Sequence, residues 1–342
     1  MNSLDEQTLP LVAEGMEDGW SGTSSPASCA SATVCSSKVF AGGGRPLTAV
    51  ELALRLQTES LSRAKGLREK EEPQKLLLPG IDDFMRAMSN HVARSSLFAP
   101  IAKGSRKFHT DIPLVTRRDA VMSYTGEQLD EADADLVLQL IYEGHRFPLG
   151  LPVTLNRAAL LRALGRETGK SQYEWLHRRM KALTVATLFI EVRKPDGLTK
   201  YRVGDTDAFH IVQSFRYRQA AESYAFTLDP RWAMLFSNRE FALIDWDKRL
   251  RMGRGQDMAK AMQRLLATSS NQIQSYALDW LKEKMQYTSP MRKFRQALAA
   301  AMRELERLEI IAAWRPATSI KRKEQITIWL SVHRHSVPPT SA

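Results

Sequence analysis

Residues 164–175 read L-G-R-E-T-G-K-S-Q-Y-E-W. Gly165, Gly169, Lys170 and Ser171 are the residue types with which a phosphate-binding loop cradles a nucleoside triphosphate, and the chemistry would be phosphoryl transfer. The spacing fails it. Such a loop places four residues between its glycines, whereas three separate Gly165 from Gly169 and the preceding position is Leu164. The stretch A-A-L-L-R-A-L before it has helical periodicity, where a nucleotide loop follows a buried strand. No apolar strand ending in Asp follows at a place suited to magnesium.

Other catalytic constellations fare no better. The histidines (His91, His109, His145, His177, His210, His333, His335) are scattered, without an HExxH spacing or the His-hydrophobe-His plus Tyr set of a nicking enzyme. Asp82-Asp83 and Asp245/Asp247 read as turn or surface acids, because nothing convergent accompanies them. Cys29 and Cys35 are too few for a disulfide framework or a zinc site. The expectation is a protein that is not an enzyme and requires no cofactor.

The chain has 342 residues and a net charge of +11, with 43% apolar residues. Five acids against Lys38 and Arg45 give the first 45 residues −3, which leaves +14 on the rest. A folded region that basic faces a polyanion, because neutralising phosphates releases condensed counterions. The bland reading is a solubilising surface. No run approaches the length of a membrane span, and the acidic start M-N-S-L-D-E is unlike a signal peptide. A cytoplasmic location is expected.

The elements that must position these charges follow from the pattern. Residues 19–45 are rich in Ser, Ala and Gly and are expected to be disordered. Thr48-Ala49-Val50-Glu51 is a capping-box pattern opening a thin-faced helical stretch to about Glu72. Residues 73–80 read as a linker. D-E-A-D-A-D-L-V-L-Q-L-I-Y-E-G gives an amphipathic helix with Leu136, Val137, Leu140 and Ile141 inward and acids in its first turn. V-T-L-N-R-A-A-L-L-R-A-L-G gives a short helix stopped by Gly165. A third starts with Ser171 as N-cap and Glu174 closing a capping box. L-F-I-E-V-R and L-T-K-Y-R-V then make a hairpin across Lys194–Gly197, and H-I-V-Q-S-F-R-Y-R and S-Y-A-F-T-L read as further strands.

The order helix, helix, helix, hairpin then recurs, with helices at Asp257–Leu266, Ser275–Met285 and Ser289 to about Leu308, and a hairpin from I-I-A-A-W-R-P to K-R-K-E-Q-I-T-I-W-L. The predicted fold is α+β: tandem winged-helix domains, each a three-helix core plus a β-hairpin, behind a disordered N-terminal tail. The first spans residues 81–218, the second 219–332, and 333–342 are a frayed tail.

The nucleotide-like stretch thus becomes the turn and first residues of a reading helix, with Gly165 in the left-handed conformation that ends the helix before it. Such helices place their N-terminal residues at base edges in the major groove. Tyr173, Leu176, Met180 and Leu183 form the inward stripe, and Lys170, Ser171, Gln172, Trp175, Arg178 and Lys181 are candidate DNA-binding residues. Trp175 is as suited to packing under the hairpin as to touching DNA. In the second unit, Ser289 as N-cap and Pro290 at the first helical position open a helix with Met291, Phe294, Leu298, Met302 and Leu305 inward. Arg292, Lys293, Arg295 and Gln296 crowd its exposed first turns; Arg and Gln read guanine and adenine bidentately. Arg193, Lys194 and Lys200 of the first hairpin and Lys321, Arg322 and Lys323 of the second are candidate phosphate contacts. A solvated basic face is the bland alternative for each helix.

Four stretches carry a resemblance: M-R-A-M-S-N-H-V-A-R-S-S-L-F (85–98), S-Y-T-G-E-Q-L (123–129), M-K-A-L-T-V-A-T-L-F-I (180–190) and R-K-F-R-Q-A-L-A-A-A-M-R-E-L (292–305). From about residue 80 to 330 the chain resembles the TrfA-type plasmid replication initiators. The resemblance implies a tandem winged-helix protein that binds repeated sites, iterons, in double-stranded origin DNA. It implies help in melting an adjacent A·T-rich region, contact with single strands there, and recruitment of the host initiator, the replicative helicase with its loader, and the sliding clamp. It further implies activity as a monomer, with a homodimer serving copy-number control. The family carries a Gln-Leu-x-Leu-Phe-like clamp-binding motif before the first domain. Here the matching place is Gln74-Lys75-Leu76-Leu77-Leu78-Pro79, without Phe, so Gln74, Leu76, Leu77 and Leu78 are the candidate clamp contacts, and an apolar lead-in to the first domain is the alternative. A transcriptional repressor or a copy-number or partition regulator, binding DNA without melting it, would need the same helices and is the alternative function.

Overall fold

The computed structural model describes residues 50–51, 54–60, 76–101, 106–194, 196–204, 208–319 and 322–331. The chain divides into two units, Met1–Glu72 and Pro73–Ala342. In the first, residues 54–60 form a helix, α1, with Leu54 and Leu56 exposed as the thin apolar face predicts. The expectations for residues 1–49, for the capping box at Thr48 and for the tail after Ser331 lie outside the described residues.

The second unit is mixed α+β with two hydrophobic cores. The first opens with β1 (Met85–Ser89), α2 (Asn90–Arg94), β2 (Phe98–Ala99), β3 (Phe108–Pro113), β4 (Ala120–Glu127) and β5 (Leu129–Asp130). It continues with α3 (Glu131–Gly144), β6 (Pro152–Asn156), α4 (Arg157–Ala163), α5 (Lys170–Val185), β7 (Thr187–Arg193) and β8 (Thr199–Val203). Then come β9 (Phe209–His210), β10 (Ser214–Arg218), β11 (Ser223–Thr227), α6 (Trp232–Phe236), β12 (Phe241–Asp245) and α7 (Trp246–Leu250). The second core holds α8 (Asp257–Leu266), β13 (Ile273–Ala277), α9 (Leu278–Lys284), α10 (Met291–Arg307), β14 (Ile311–Thr318) and β15 (Glu324–Leu330).

The expected hairpins form: β7 pairs with β8 and β14 with β15, all antiparallel. Gly197 takes a φ of +86° in the first turn, and Lys194 N donates to Leu198 O at 2.8 Å. In each core a helix, a strand, two helices and a hairpin follow one another. In the second core β13 joins the hairpin in the order β13-β15-β14. In the first core β6 pairs instead with β11, in the order β10-β11-β6. The division expected at 218/219 therefore falls inside the β10–β11 hairpin. Trp232, Phe236, Ile244 and Trp246 pack in the first core, and the second begins at Met252.

Three corrections concern strands read as helix or left unread. The helix expected at Ser275–Met285 is a strand, Ile273–Ala277, before a shorter helix. Its alternation is obscured because the inward Gln274 is polar; its amide nitrogen donates to the carbonyls of Leu266, Ser269 and Asn271. The stretch V-T-L-N likewise forms β6, with Asn156 as N-cap of α4, accepting from Ala158 and Ala159. The sheet β3-β4-β7-β8 adds strands 108–113 and 120–127. Gly126 in β4 has a φ of +151°, and a Cβ there would lie 2.6 Å from the Tyr124 hydroxyl and 3.2 Å from the Ala186 backbone. Strand and helix approach so closely that only glycine fits.

The acids of α3 do more than favour its dipole. Asp130 and Asp133 form a capping box, and Glu131 and Asp133 are fully buried. Arg179 of α5 reaches Asp133 through Nε at 2.5 Å and Nη2 at 3.0 Å, and Glu127 through Nη1 at 2.9 Å. Glu131 accepts from Arg249 at 2.9 Å and from Arg264; Asp135 accepts from Arg249 at 2.5 Å and Lys260 at 2.6 Å. Burial pushes the Asp135 carboxyl up, but the charges of Arg249 and Lys260 prevail and hold it below the usual range. One helix end thus ties α5 to the first core and both cores to each other. Such pairs add little net stability but fix geometry, because each loses its compensation if the partner moves.

Candidate nucleic-acid interface

Helix α4 ends in a left-handed Gly165 with a φ of +66°. Gly165 N donates to Arg162 O and Arg166 N to Leu161 O, both at 2.9 Å, the paired bonds of a Schellman end. The chain then reverses into α5. That helix starts at Lys170 with Gly169 as its cap, two residues before the expected N-cap Ser171. Ser171 makes no capping bond, so the capping box predicted with Glu174 does not form.

Leu176, Met180 and Leu183 are buried as predicted, together with the ion-paired Arg179. Lys170, Ser171, Arg178 and Lys181 are exposed on the opposite face. Gln172 accepts from Arg166 at 3.0 Å, and the Arg166 guanidinium lies 3.6 Å from the centroid of the half-buried Trp175 ring. Trp175 is thus a packing residue against the first core. Lys170, Arg178 and Lys181 border an open cleft of about 710 Å³ that also has Arg157, His177 and Tyr217 in its wall. The sequence reading missed these three. Burial and the Lys181 charge hold the His177 pKa below its usual value, so the ring is neutral at neutral pH. The alternation S-F-R-Y-R in β10, with Phe215 and Tyr217 on one face, was the available signal.

In the first hairpin Lys194 is exposed and, among the described residues, has no side-chain partner. Arg193 pairs with Glu191 at 2.8 Å. Lys200 donates to Glu240 at 2.5 Å, beside His91 at 3.3 Å. Burial raises the Glu240 carboxyl, but the hydrogen bonds from Lys200 and His91 outweigh it and leave it below the usual range. Lys200 is therefore committed to the protein, which removes it as a ready phosphate contact.

In the second core α10 begins at Met291 with Pro290 as its cap, so the expected Ser289 cap and Pro290 first-turn position shift by one residue. Phe294, Leu298, Met302 and Leu305 are buried and Met291 half-buried. Arg292, Lys293 and Gln296 are exposed, without side-chain hydrogen bonds or ion pairs among the described residues. Arg295 differs from its neighbours. Its Nη2 reaches both Glu324 oxygens, at 2.9 and 2.7 Å, so it braces the helix against β15. Arg322, at a φ of +55°, and Lys323 are exposed in the hairpin turn; Lys321 lies outside the described residues.

Before the first core, Leu76 and Leu77 are exposed, whereas Leu78 is buried and packs into it. Gln74 lies outside the described residues. Leu78 is thus an anchor of the fold and not a free clamp contact.

No family model matches the chain. Over 172 residues, 48% of the chain, it is 26% identical to the plasmid replication initiator protein TrfA of Escherichia coli. The chain resembles the TrfA-type plasmid replication initiators. The match spans 43% of that relative, less than half its length. Among solved structures, a selenomethionine form of domains 2 and 3 of RctB has a TM-score of 0.45 at 11% identity, covering 71% of this chain and 98% of that one. A second structure of RctB domains 2–3 gives a TM-score of 0.42 at 11% identity, over 70% and 96% of the two chains.

The resemblance stretch 85–98 now has a structural account. Arg86 donates to Gln139 at 2.8 Å and lies 3.7 Å from the Tyr142 ring centroid. Arg94 donates to Thr268 O at 2.6 Å, and the carbonyls of Ala93 and Phe98 accept from Arg264. Ser95 O accepts from the buried Lys284 at 3.0 Å, and Ser96 O from Gln286 at 2.8 Å. This segment is the seam on which the second core docks. No helix among the described residues is long and apolar enough to cross a membrane.

Proposed function

We propose that the chain is a replication initiator acting in the cytoplasm, with two winged-helix units that bind repeated sites in plasmid origin DNA through α5 and α10. The observation that carries the reading is the pair of helices, each with a buried stripe on one side and uncommitted Lys and Arg side chains on the other, joined on α10 by Gln296. A hairpin with exposed basic residues follows each helix. Arg292 and Gln296 are the base-reading candidates, and Lys170, Arg178, Lys181, Lys194, Arg322 and Lys323 take phosphates. Similarity to TrfA supports origin binding over other duplex targets. Melting of an adjacent A·T-rich tract, recruitment of the host initiator, helicase and clamp, and a copy-number role for a homodimer extend the same proposal. The chain performs no catalytic step in it.

The decisive experiment is a footprint on the supercoiled replicon that carries the gene, followed by permanganate probing. Protected direct repeats with reactive thymines beside them support initiation. Protected repeats without reactive thymines, even with the host initiator present, point to a regulator that only binds. No protection at all removes the reading.

A further inference from the structure

The seam between the two cores contains a cleft of about 560 Å³ that no assigned residue uses. One wall is the turn after β3, with Arg117 and Arg118; the other is Tyr276 and Trp280 of β13 and α9. The turn is rigid. Thr116 Oγ1 donates to Ala120 O at 2.6 Å, Ala120 N to Arg117 O at 3.2 Å, and Arg193 N to Asp119 O at 2.8 Å. Ser96 holds its base from both sides, donating to Val115 O and accepting from Val115 N. The opposite wall is a parallel ring pair, Tyr276 on Trp280, with centroids 6.0 Å apart and planes 13° apart.

The charges here are unbalanced. Arg117 and Arg118 are exposed and have no side-chain partner among the described residues. The one nearby carboxylate of the turn, Asp119, is taken by Arg94 at 3.2 Å. Arg117 acts on Arg94 as a like charge, and both act on the Tyr276 hydroxyl. Two fork-shaped donors carried side by side on a hydrogen-bonded turn suit phosphate oxygens, which a guanidinium binds bidentately. The position names the source of the phosphate. In helix-turn-helix docking the helix preceding the reading helix crosses the nucleic-acid backbone. Here α9, which carries Trp280, precedes α10.

We propose that Arg117 and Arg118, facing Tyr276 and Trp280 across this cleft, form a sequence-independent anchor for the sugar–phosphate backbone of the duplex that α10 reads. The inference rests on the functional reading above and adds a binding surface outside both reading helices and both hairpins. It gives the duplex a grip at the seam, so its backbone touches both cores at once.

The test uses the full chain with Arg117→Ala/Arg118→Ala, Arg117→Lys/Arg118→Lys and, separately, Arg292→Ala. Binding is followed by fluorescence anisotropy over a potassium chloride series. One probe is a duplex carrying the replicon's own direct repeats and the other a random duplex of equal length. The double alanine variant should lose affinity equally on both probes. Its log–log salt slope should be shallower by roughly 1.8 units, about 0.9 for each phosphate no longer neutralised, while the lysine variant keeps most of the slope. An unchanged slope on both probes, with Arg292→Ala still weakening repeat binding, overturns the anchor and leaves the functional reading intact. Loss confined to the repeat probe also overturns it, since that marks base reading. If the wild-type chain does not prefer the repeats, the functional reading falls and the anchor with it. Both arginines are exposed, so the variants should unfold at the wild-type temperature.

Discussion

At the scale of single residues, two kinds of side chain make opposite demands. Arg292 and Gln296 stand free on α10, and removing either should cost about 1–3 kcal/mol of specific binding if it reads a base edge. Equal loss on repeat and random duplexes would mark phosphate contacts instead. Lys284 is the reverse case, a fully buried amine. Burial, together with the like charge of Arg264, brings its pKa down from 10.5 to about 7. The folded state therefore binds fewer protons than the unfolded chain between about pH 7 and 10.5. Stability should rise with pH through that window, because the unfolded state must give up the proton that the folded state has already lost. Urea midpoints of wild type and Lys284→Met across the window check this. The variant should show a flatter rise, and parallel curves would mean that Lys284 stays charged in the fold.

At the scale of elements, α5 is held by an ion pair as well as by its apolar stripe. Asp133→Ala would leave Arg179 buried without its main partner, and breaking such a pair costs about 3–5 kcal/mol. Urea unfolding should show that loss, with DNA binding by α5 weakened alongside it. An effect below about 1 kcal/mol would place Arg179 in the class of exposed pairs. The Arg295–Glu324 brace lies at the surface, and Arg295→Ala should change stability by no more than about 1 kcal/mol. How legible each element was in the sequence depended on which residues faced inward. α8 and α10 follow their apolar stripes, and the hairpins follow Lys194–Gly197 and the alternation after Glu324. β13 was hidden because Gln274 faces inward, and β6 because its alternation runs straight into a helix. The sheet β3-β4-β7-β8 carries exposed apolar residues, Phe108, Val121 and Phe189, that blur its alternation.

At the scale of the whole molecule, the two cores share Glu131, which Arg249 and Arg264 both hold, and the seam at residues 93–98. The unit Pro73–Ala342 should therefore unfold in one calorimetric transition, and Glu131→Gln should split or broaden it. Two transitions in the wild type would show the cores to be independent. Cutting after Arg218 would strip β11 from between β6 and β10, so a fragment ending there should aggregate, whereas one ending at Leu250 keeps that sheet.

Composition and local periodicity were enough to establish the basic character, the helices α5 and α10 with their inward stripes, and the mismatch of Gly165–Ser171 with the spacing of a nucleotide loop. These depend on residue counts and on periods of two and 3.6 residues, which are local. Which charges are free was settled by the tertiary fold. Lys200, Arg295 and Arg193 look like Lys194 and Arg292 in the sequence, yet their carboxylate partners Glu240 and Glu324 are 40 and 29 residues away and Glu191 is two. Burial of Glu131, Asp133 and Asp135 likewise depends on arginines 27 to 133 residues distant. Gly169-Lys170-Ser171 sits between these cases. Its local spacing departs from that of a nucleotide loop, and the Schellman end at Gly165 with the Arg179 ion pair decided which of its side chains face outward.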